Sequence, residues 1–151
     1  MTGARDGTSG PPEGDRSAVV DVAVRYATAL DIRDWALLRD CFTDDVVTHY
    51  GDGPVLEGYE PFERTCRAWL PDTVRSQHLL GNAVVDLDGD TADASHYVRA
   101  DHVHEDLPGV DLVVVGQYRD RLRRTPEGWR ITRRRFEIWW TQGETEVLRP
   151  W

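Results

Sequence analysis

The sequence predicts one α+β domain, with three helices first and then an antiparallel sheet that the helices cover on one face. Three observations carry that reading. The length of 151 residues suits a single domain. The composition, 40% apolar and 30% charged, is that of a globular chain. Apolar residues recur at helical spacing before Pro71, and the chain alternates with period two from Gln77 onward.

Residues 1–16 begin MTGARDGTSGPPEG, rich in Gly, Pro, Ser and Thr, and read as a disordered tail. The domain is expected over residues 17–142, with 143–151 as a C-terminal tail. A first helix is expected over 17–30, capped by Asp15 or Ser17. Val20, Val24 and Ala27 form its apolar stripe, and Asp31 continues that stripe. A carboxylate on a core-facing stripe is unusual, because an unpaired buried charge is costly. Asp34 caps a short second helix with Trp35, Leu38 and Phe42 on one face, ended by Thr43-Asp44-Asp45. Residues 46–50 read as a short strand, followed by a turn over 51–54. A third helix starts near Pro61, a favoured first-turn position, buries Phe62, Cys66 and Trp69, and stops at Pro71. Strands are expected over 77–87, 91–104, 111–124 and 129–140, joined by turns or loops at 88–90, 106–109 and 125–128.

The formal charge of −9 arises from 27 acidic and 18 basic residues. Every basic residue is Arg, which reads as the codon bias of a GC-rich genome. Such an acidic surface disfavours nucleic acid as a partner. Without a lysine amine there is no Schiff-base chemistry. No phosphate-binding loop, dinucleotide fingerprint or Gly-x-Ser-x-Gly elbow occurs. No apolar run approaches the ~20 residues of a membrane span, and no secretion signal opens the chain. A cytoplasmic protein with reduced Cys41 and Cys66 is the expectation. Neither Ser76 nor Ser95 lies on a nucleophile pattern, and Cys41 and Cys66 are expected on helix faces, so nucleophilic catalysis has little support.

Three ionisable residues stand where the pattern expects apolar ones or a cavity: Asp31, His78 at the start of the first long strand, and His102 in Val98-x-Ala100-x-His102-x-His104. Arg99 and Asp101 fall on the opposite, solvated face. Histidine exchanges a proton near neutral pH, and a carboxylate beside it fixes the tautomer and stabilises the imidazolium. One Asp and two His from three elements can form a general acid/base site. Each residue taken alone also reads as a satisfied structural polar group. His102-x-His104 is a weak metal signal, because no third ligand is evident. Tyr50, Tyr26 and Tyr118 are candidate cavity hydroxyls; each also reads as a core residue whose hydroxyl reaches water, and for Tyr26 that is the stronger reading. Gly116, in mid-strand, leaves room for a ligand or marks a bend. The run Arg133-Arg134-Arg135 reads as a solvated face, but alternation turns Arg134 opposite to its neighbours, so one arginine of the three can face inward, to hold an anion or to pair with Glu137. Phe136, Trp139 and Trp140 read as core or subunit interface.

The segment Tyr26-Ala-x-x-Leu-Asp31-x-x-Asp34-Trp35-x-x-Leu38-Arg39-x-Cys41 resembles the opening of the scytalone dehydratase family, as does Thr48-His-Tyr50. Arg75-Ser-Gln77-His78-Leu-Leu-Gly81 and Arg99-Ala-Asp101-His102 resemble its two histidine segments. Gly128-Trp129-Arg-Ile131 resembles the closing hairpin of the SnoaL-like, nuclear-transport-factor-2-like (NTF2-like) superfamily. The resemblance implies a cone-shaped α+β barrel around a deep pocket. It implies that Asp31, His78 and His102 match the family's catalytic aspartate and histidines, and Tyr50 a pocket tyrosine. In the related dehydrochlorinase branch an Asp–His pair would fall on Asp31 and His78. The dehydratase's second pocket tyrosine falls on Leu30 here, and its third-strand serine and asparagine on Gly116 and Tyr118, which points to a substrate other than scytalone.

The expectation is therefore a cofactor-independent acid/base enzyme without a metal, acting on a small cyclic or polyketide-like molecule by elimination, isomerisation or cyclisation. Asp31 is assigned to pair with His102 while His78 moves the proton, and these two roles are open to exchange. Tyr50, with Tyr118 and Tyr26, contacts substrate. Neither nucleic acid nor membrane is an expected partner, and self-association as a dimer or trimer is. The alternative is a non-catalytic ligand-binding or association module of the same fold.

Overall fold

The computed structural model describes residues 13–109 and 111–144. Of the expected tails 1–16 and 143–151, residues 1–12 and 145–151 lie outside the described residues, while 13–16 are helix and Gly143 ends the last strand. The described residues form helices α1 (Glu13–Ile32), α2 (Trp35–Arg39) and α3 (Tyr59–Trp69), and strands β1 (Phe42–Tyr50), β2 (Val55–Glu57), β3 (Val74–Asp88), β4 (Thr91–His104), β5 (Asp111–Thr125) and β6 (Gly128–Gly143). The strands make one six-stranded sheet in the order β2-β1-β6-β5-β4-β3. β3 to β6 are the expected antiparallel meander. β1 joins it in parallel to β6, with β2 hairpinned onto β1. The sheet curves over the helices without closing into the expected barrel, because β2 and β3 remain as its two edges. Among the described residues, no helix is long and apolar enough to cross a membrane.

α1 starts at Glu13 and runs four residues before the expected Ser17. Its buried face is Val19, Val22, Ala23, Tyr26, Ala27, Ala29 and Leu30. The stripe expected through Val20 and Val24 is rotated away, and Val24 is 50% exposed. The difference is one of area, since Tyr26 and Leu30 bring far more apolar surface to the sheet than Val24. Asp31 therefore lies at the border of the buried face, where α1 meets β3. Asp34 caps α2 as expected, its Oδ1 accepting from the Leu37 N–H at 2.9 Å. The helix is shorter than expected. Phe42, Thr43, Asp44 and Asp45 are strand, because β6 takes up this backbone: the Ile131 N–H donates to the Cys41 carbonyl at 2.8 Å. Cys41 thus follows α2 instead of lying on its face, and Cys66 is on α3.

Inward side chains come in rows across the sheet. One row is Thr48, Arg134, Asp120, Ala94 and Val85; the next is Tyr50, Phe136, Tyr118 and His96; two further rows carry Val114, Ala100 and His78, and then Leu112, His102 and Ser76. A register irregularity opposite Leu122 makes Trp129 and Ile131 face inward, and then Arg134 and Phe136. One extra residue switches which alternate positions reach the core. A second irregularity adjoins Gly116. There a Cβ would collide with the Glu137 carbonyl oxygen, so this glycine serves strand contact and leaves no ligand space. Phe136 is core, whereas Trp139 and Trp140 are 46% and 56% exposed on the outer face, with Trp139 against Tyr97.

Candidate active site

A pocket enclosing about 60 Å³ lies between the helices and the inner face of the sheet. Its apolar walls include Leu30, Leu56, Phe62, Leu70, Val114 and Phe136. The polar side chains on it include His78, His102, Tyr26, Tyr50 and Tyr118, so the five expected pocket residues other than Asp31 all line it. Asp31 stands behind His78.

The structure brings Asp31, His78 and His102 together. Asp31 Oδ1 lies 2.7 Å from His78 Nδ1, and Asp31 Oδ2 accepts the His78 backbone N–H at 2.9 Å. The two imidazoles meet edge to face with ring centroids 5.7 Å apart. The partner of Asp31 is thus His78, which exchanges the two histidines relative to the expected assignment. The pairing follows from register. Ser76 stands opposite His102 and His78 opposite Ala100, which leaves β3, the edge strand, beside the end of α1. His102 points its Nδ1 at the Leu112 carbonyl instead, at 3.3 Å.

These contacts set the protons. A carboxylate accepts only, so His78 donates from Nδ1, and in the neutral ring that leaves the lone pair on Nε2. A carbonyl likewise only accepts, which places the His102 proton on Nδ1. Partial burial pushes the Asp31 carboxyl up, but the His78 side-chain and backbone hydrogen bonds, with that of Ser76, hold it below its usual range. His102 is 6% exposed. Burial first, then His78 and Arg33, lower its imidazole to about 4, so it is neutral at pH 7. At this end of the pocket a neutral His102 imidazole and the His78 ring stand beside one ionised carboxylate.

The tyrosines form a second polar group. The Tyr26 and Tyr50 hydroxyls are 3.0 Å apart. Tyr26 is 1% exposed, and its hydroxyl meets that of Tyr50 on the pocket wall. Burial pushes the Tyr26 and Tyr50 phenols above their usual range and Tyr118 to about 12, while Arg134 works against burial without overcoming it. All three remain O–H donors at neutral pH.

Arg134 lies behind these rings. It is the inward-facing arginine of the run, and its partner is Asp120, with Nε to Oδ1 at 2.7 Å and Nη2 to Oδ2 at 2.6 Å. Glu137 pairs with Arg119. The guanidinium carbon stands 3.9 Å from the Tyr26 ring centroid and 4.2 Å from that of Tyr118.

Sequence reasoning missed three residues here. Ser76, dismissed as a nucleophile, donates to Asp31 Oδ1 at 3.1 Å. Its position two before His78 on a strand is a signal that could have found it. Arg33 donates to Ser76 Oγ at 3.0 Å and stands two residues after Asp31. His96 is 2% exposed, with neither ring nitrogen hydrogen-bonded, and the alternation through His102 could have placed it on the inner face. Among the described residues, no three His, Cys, Asp or Glu side chains are grouped to hold a metal ion.

The comparisons with known proteins agree with this architecture. The model of the SnoaL-like domain matches residues 14–135. An uncharacterized protein of Mycobacterium tuberculosis is 32% identical over 124 residues, 80% of this chain and 82% of that one. A crystal structure from Novosphingobium aromaticivorans, provisionally described as an aromatic ring hydroxylase, superposes with TM-score 0.83 at 29% identity, covering 93% of this chain and 100% of that one. A second structure from that organism, provisionally described as a scytalone dehydratase, gives TM-score 0.78 at 21% identity, with 85% and 86% covered. The hexachlorocyclohexane dehydrochlorinase LinA gives 0.77 at 13% identity, with 88% and 90% covered. Fold and matched length together establish that the chain belongs to the SnoaL-like family.

Proposed function

We propose that the protein is a cofactor-independent acid/base enzyme that carries out an elimination on a small, uncharged cyclic substrate. The observation that carries this reading is the Asp31–His78 hydrogen bond of 2.7 Å at a pocket-lining imidazole. With Nδ1 committed to a carboxylate, Nε2 is the base, and Asp31 stabilises the imidazolium that forms. The apolar walls and the lack of a charged side chain among the lining residues favour an uncharged ligand.

In a dehydration, His78 Nε2 takes the proton alpha to a carbonyl. The C–H electrons form the new double bond as the hydroxyl on the neighbouring carbon leaves. The proton on Nε2 passes to that hydroxyl, so water and an enone are the products and His78 is regenerated. His102 is neutral, with its proton turned to Leu112, so its Nε2 accepts from the departing hydroxyl and orients it. Tyr50, still protonated, donates to the carbonyl oxygen, where charge develops. The same groups serve loss of another leaving group. The dehydratase and dehydrochlorinase descriptions of two structural relatives support elimination over the other acid/base outcomes.

The test is a panel of small cyclic β-hydroxy ketones, followed by the absorbance of the enone. Wild type should convert at least one, and His78→Ala and Asp31→Asn should lose that activity with the fold intact. Full turnover in both variants would contradict the reading. Tight binding of such ketones without conversion would favour the ligand-binding module.

A further inference from the structure

Asp31 stands in the last turn of α1, where the helix carbonyls disfavour a carboxylate. The helix closes with two bonds, from the Asp34 N–H to the Ala29 carbonyl at 2.9 Å and from the Arg33 N–H to the Leu30 carbonyl at 3.3 Å. This is a Schellman ending, and its left-handed position is normally glycine. Here it is Arg33, with φ 60°. A side chain held in that conformation carries strain that glycine would avoid. The guanidinium turns back over the helix end. NH1 donates to the Leu30 carbonyl and to Ser76 Oγ, and NH2 donates to the Val74 carbonyl of β3. A guanidinium cannot accept, so Ser76 Oγ is the acceptor in that contact. The one hydrogen of the Ser76 hydroxyl is thereby left for Asp31 Oδ1, the same oxygen that receives His78 Nδ1.

We propose that Arg33 is a positioning residue for the Asp31–His78 pair, acting through Ser76 and through its own charge at this end of the pocket. The role rests on the acid/base reading above. Arg33 ties the end of α1 to β3 at the point where the carboxylate crosses between them. It fixes the direction of the Ser76 hydrogen bond, so that Oδ1 has a donor on either side and the carboxylate cannot rotate away from the imidazole. Its charge also reaches His102. The groups facing that ring are His78 of β3, Arg33 and Asp31 at the end of α1, and the Leu112 carbonyl of β5. His78 and Arg33 oppose its protonation, and Leu112 and Asp31 favour it.

The test is read by NMR on substrate-free protein, from solvent exchange of the His78 Nδ1 proton and the titration of His102. Arg33→Gly suits the left-handed backbone and removes the guanidinium together with its aliphatic stem. It should speed that exchange by about tenfold, the factor lost with one charge-assisted hydrogen bond, and move the His102 midpoint upward. Arg33→Lys should restore the His102 midpoint. Ser76→Ala should speed the exchange and leave the midpoint in place, and it decides the matter should Arg33→Gly fail to fold. Wild-type exchange in Ser76→Ala, or wild-type exchange and midpoint in folded Arg33→Gly, would overturn the proposal. The imidazoles are read without substrate, so failure here is distinct from retained turnover in His78→Ala, which overturns the acid/base reading instead.

Discussion

The two polar regions of this interior bury charge by opposite rules. At the Arg134 end, a guanidinium and the Asp120 carboxylate neutralise each other through two hydrogen bonds, with Arg134 Nη1 packed on the rings without a hydrogen-bond partner, and lie behind the tyrosine rings, away from the pocket. At the Asp31 end, the carboxylate is satisfied by His78 and Ser76, yet each imidazole keeps one nitrogen uncommitted. A self-neutralised pair supports a fold. A pair with one free lone pair on a cavity can do chemistry. The contrast predicts that the first region governs stability and the second governs turnover.

Asp120→Ala should break the comparison most severely. It strands a fully buried guanidinium and should cost roughly 3–5 kcal/mol in urea unfolding. Replacing both partners with apolar residues, Asp120→Leu with Arg134→Met, should cost clearly less than the single change. Next come His78→Ala and Asp31→Asn, expected to lower turnover of a converted substrate by about 10²–10⁴-fold. Their unfolding midpoints should move far less than that of Asp120→Ala.

A smaller effect sharpens the contrast through pH. The His102 imidazole is lowered from 6.5 to about 4 in the fold. Between those values the unfolded chain binds more protons, so stability rises with pH across this window and is lost as pH falls. The loss due to His102 should approach about 3 kcal/mol at most. His102→Gln should flatten that part of the stability–pH curve. Buried His96, lowered by desolvation, should leave a residual slope of the same sign. The smallest effect concerns the helix face. Val24→Thr should change stability by less than about 0.5 kcal/mol, as an exposed position does. Val22→Ala, at a fully buried position, should cost more than about 1 kcal/mol.

Strand alternation and turn residues placed the meander and the inward faces of His78, His102 and Tyr118, and the helical stripe of α1 added Asp31 to them, with the resemblance agreeing. Other features depend on tertiary partners that local pattern does not show. Phe42 to Asp45 became strand because β6 lies beside them. The choice of His78 over His102 as the partner of Asp31 came from which strand lies beside the end of α1. Arg134 found Asp120 because a bulge shifted β6 by one residue, and no local signal marks that bulge. Ser76 and Arg33 were adjacent to recognised residues, and their roles became visible only once the helix end turned back on the strand.

The most direct test of the central claim needs no knowledge of the leaving group. Small cyclic ketones are incubated with the protein in deuterated water, and loss of the alpha-proton signal is followed by NMR. Wild type should exchange the alpha proton of a ketone that binds the pocket, and His78→Ala should abolish that exchange while still binding the ketone. Equal exchange by wild type and His78→Ala, or no exchange of any bound ketone by wild type, would contradict the assignment of His78 as the base.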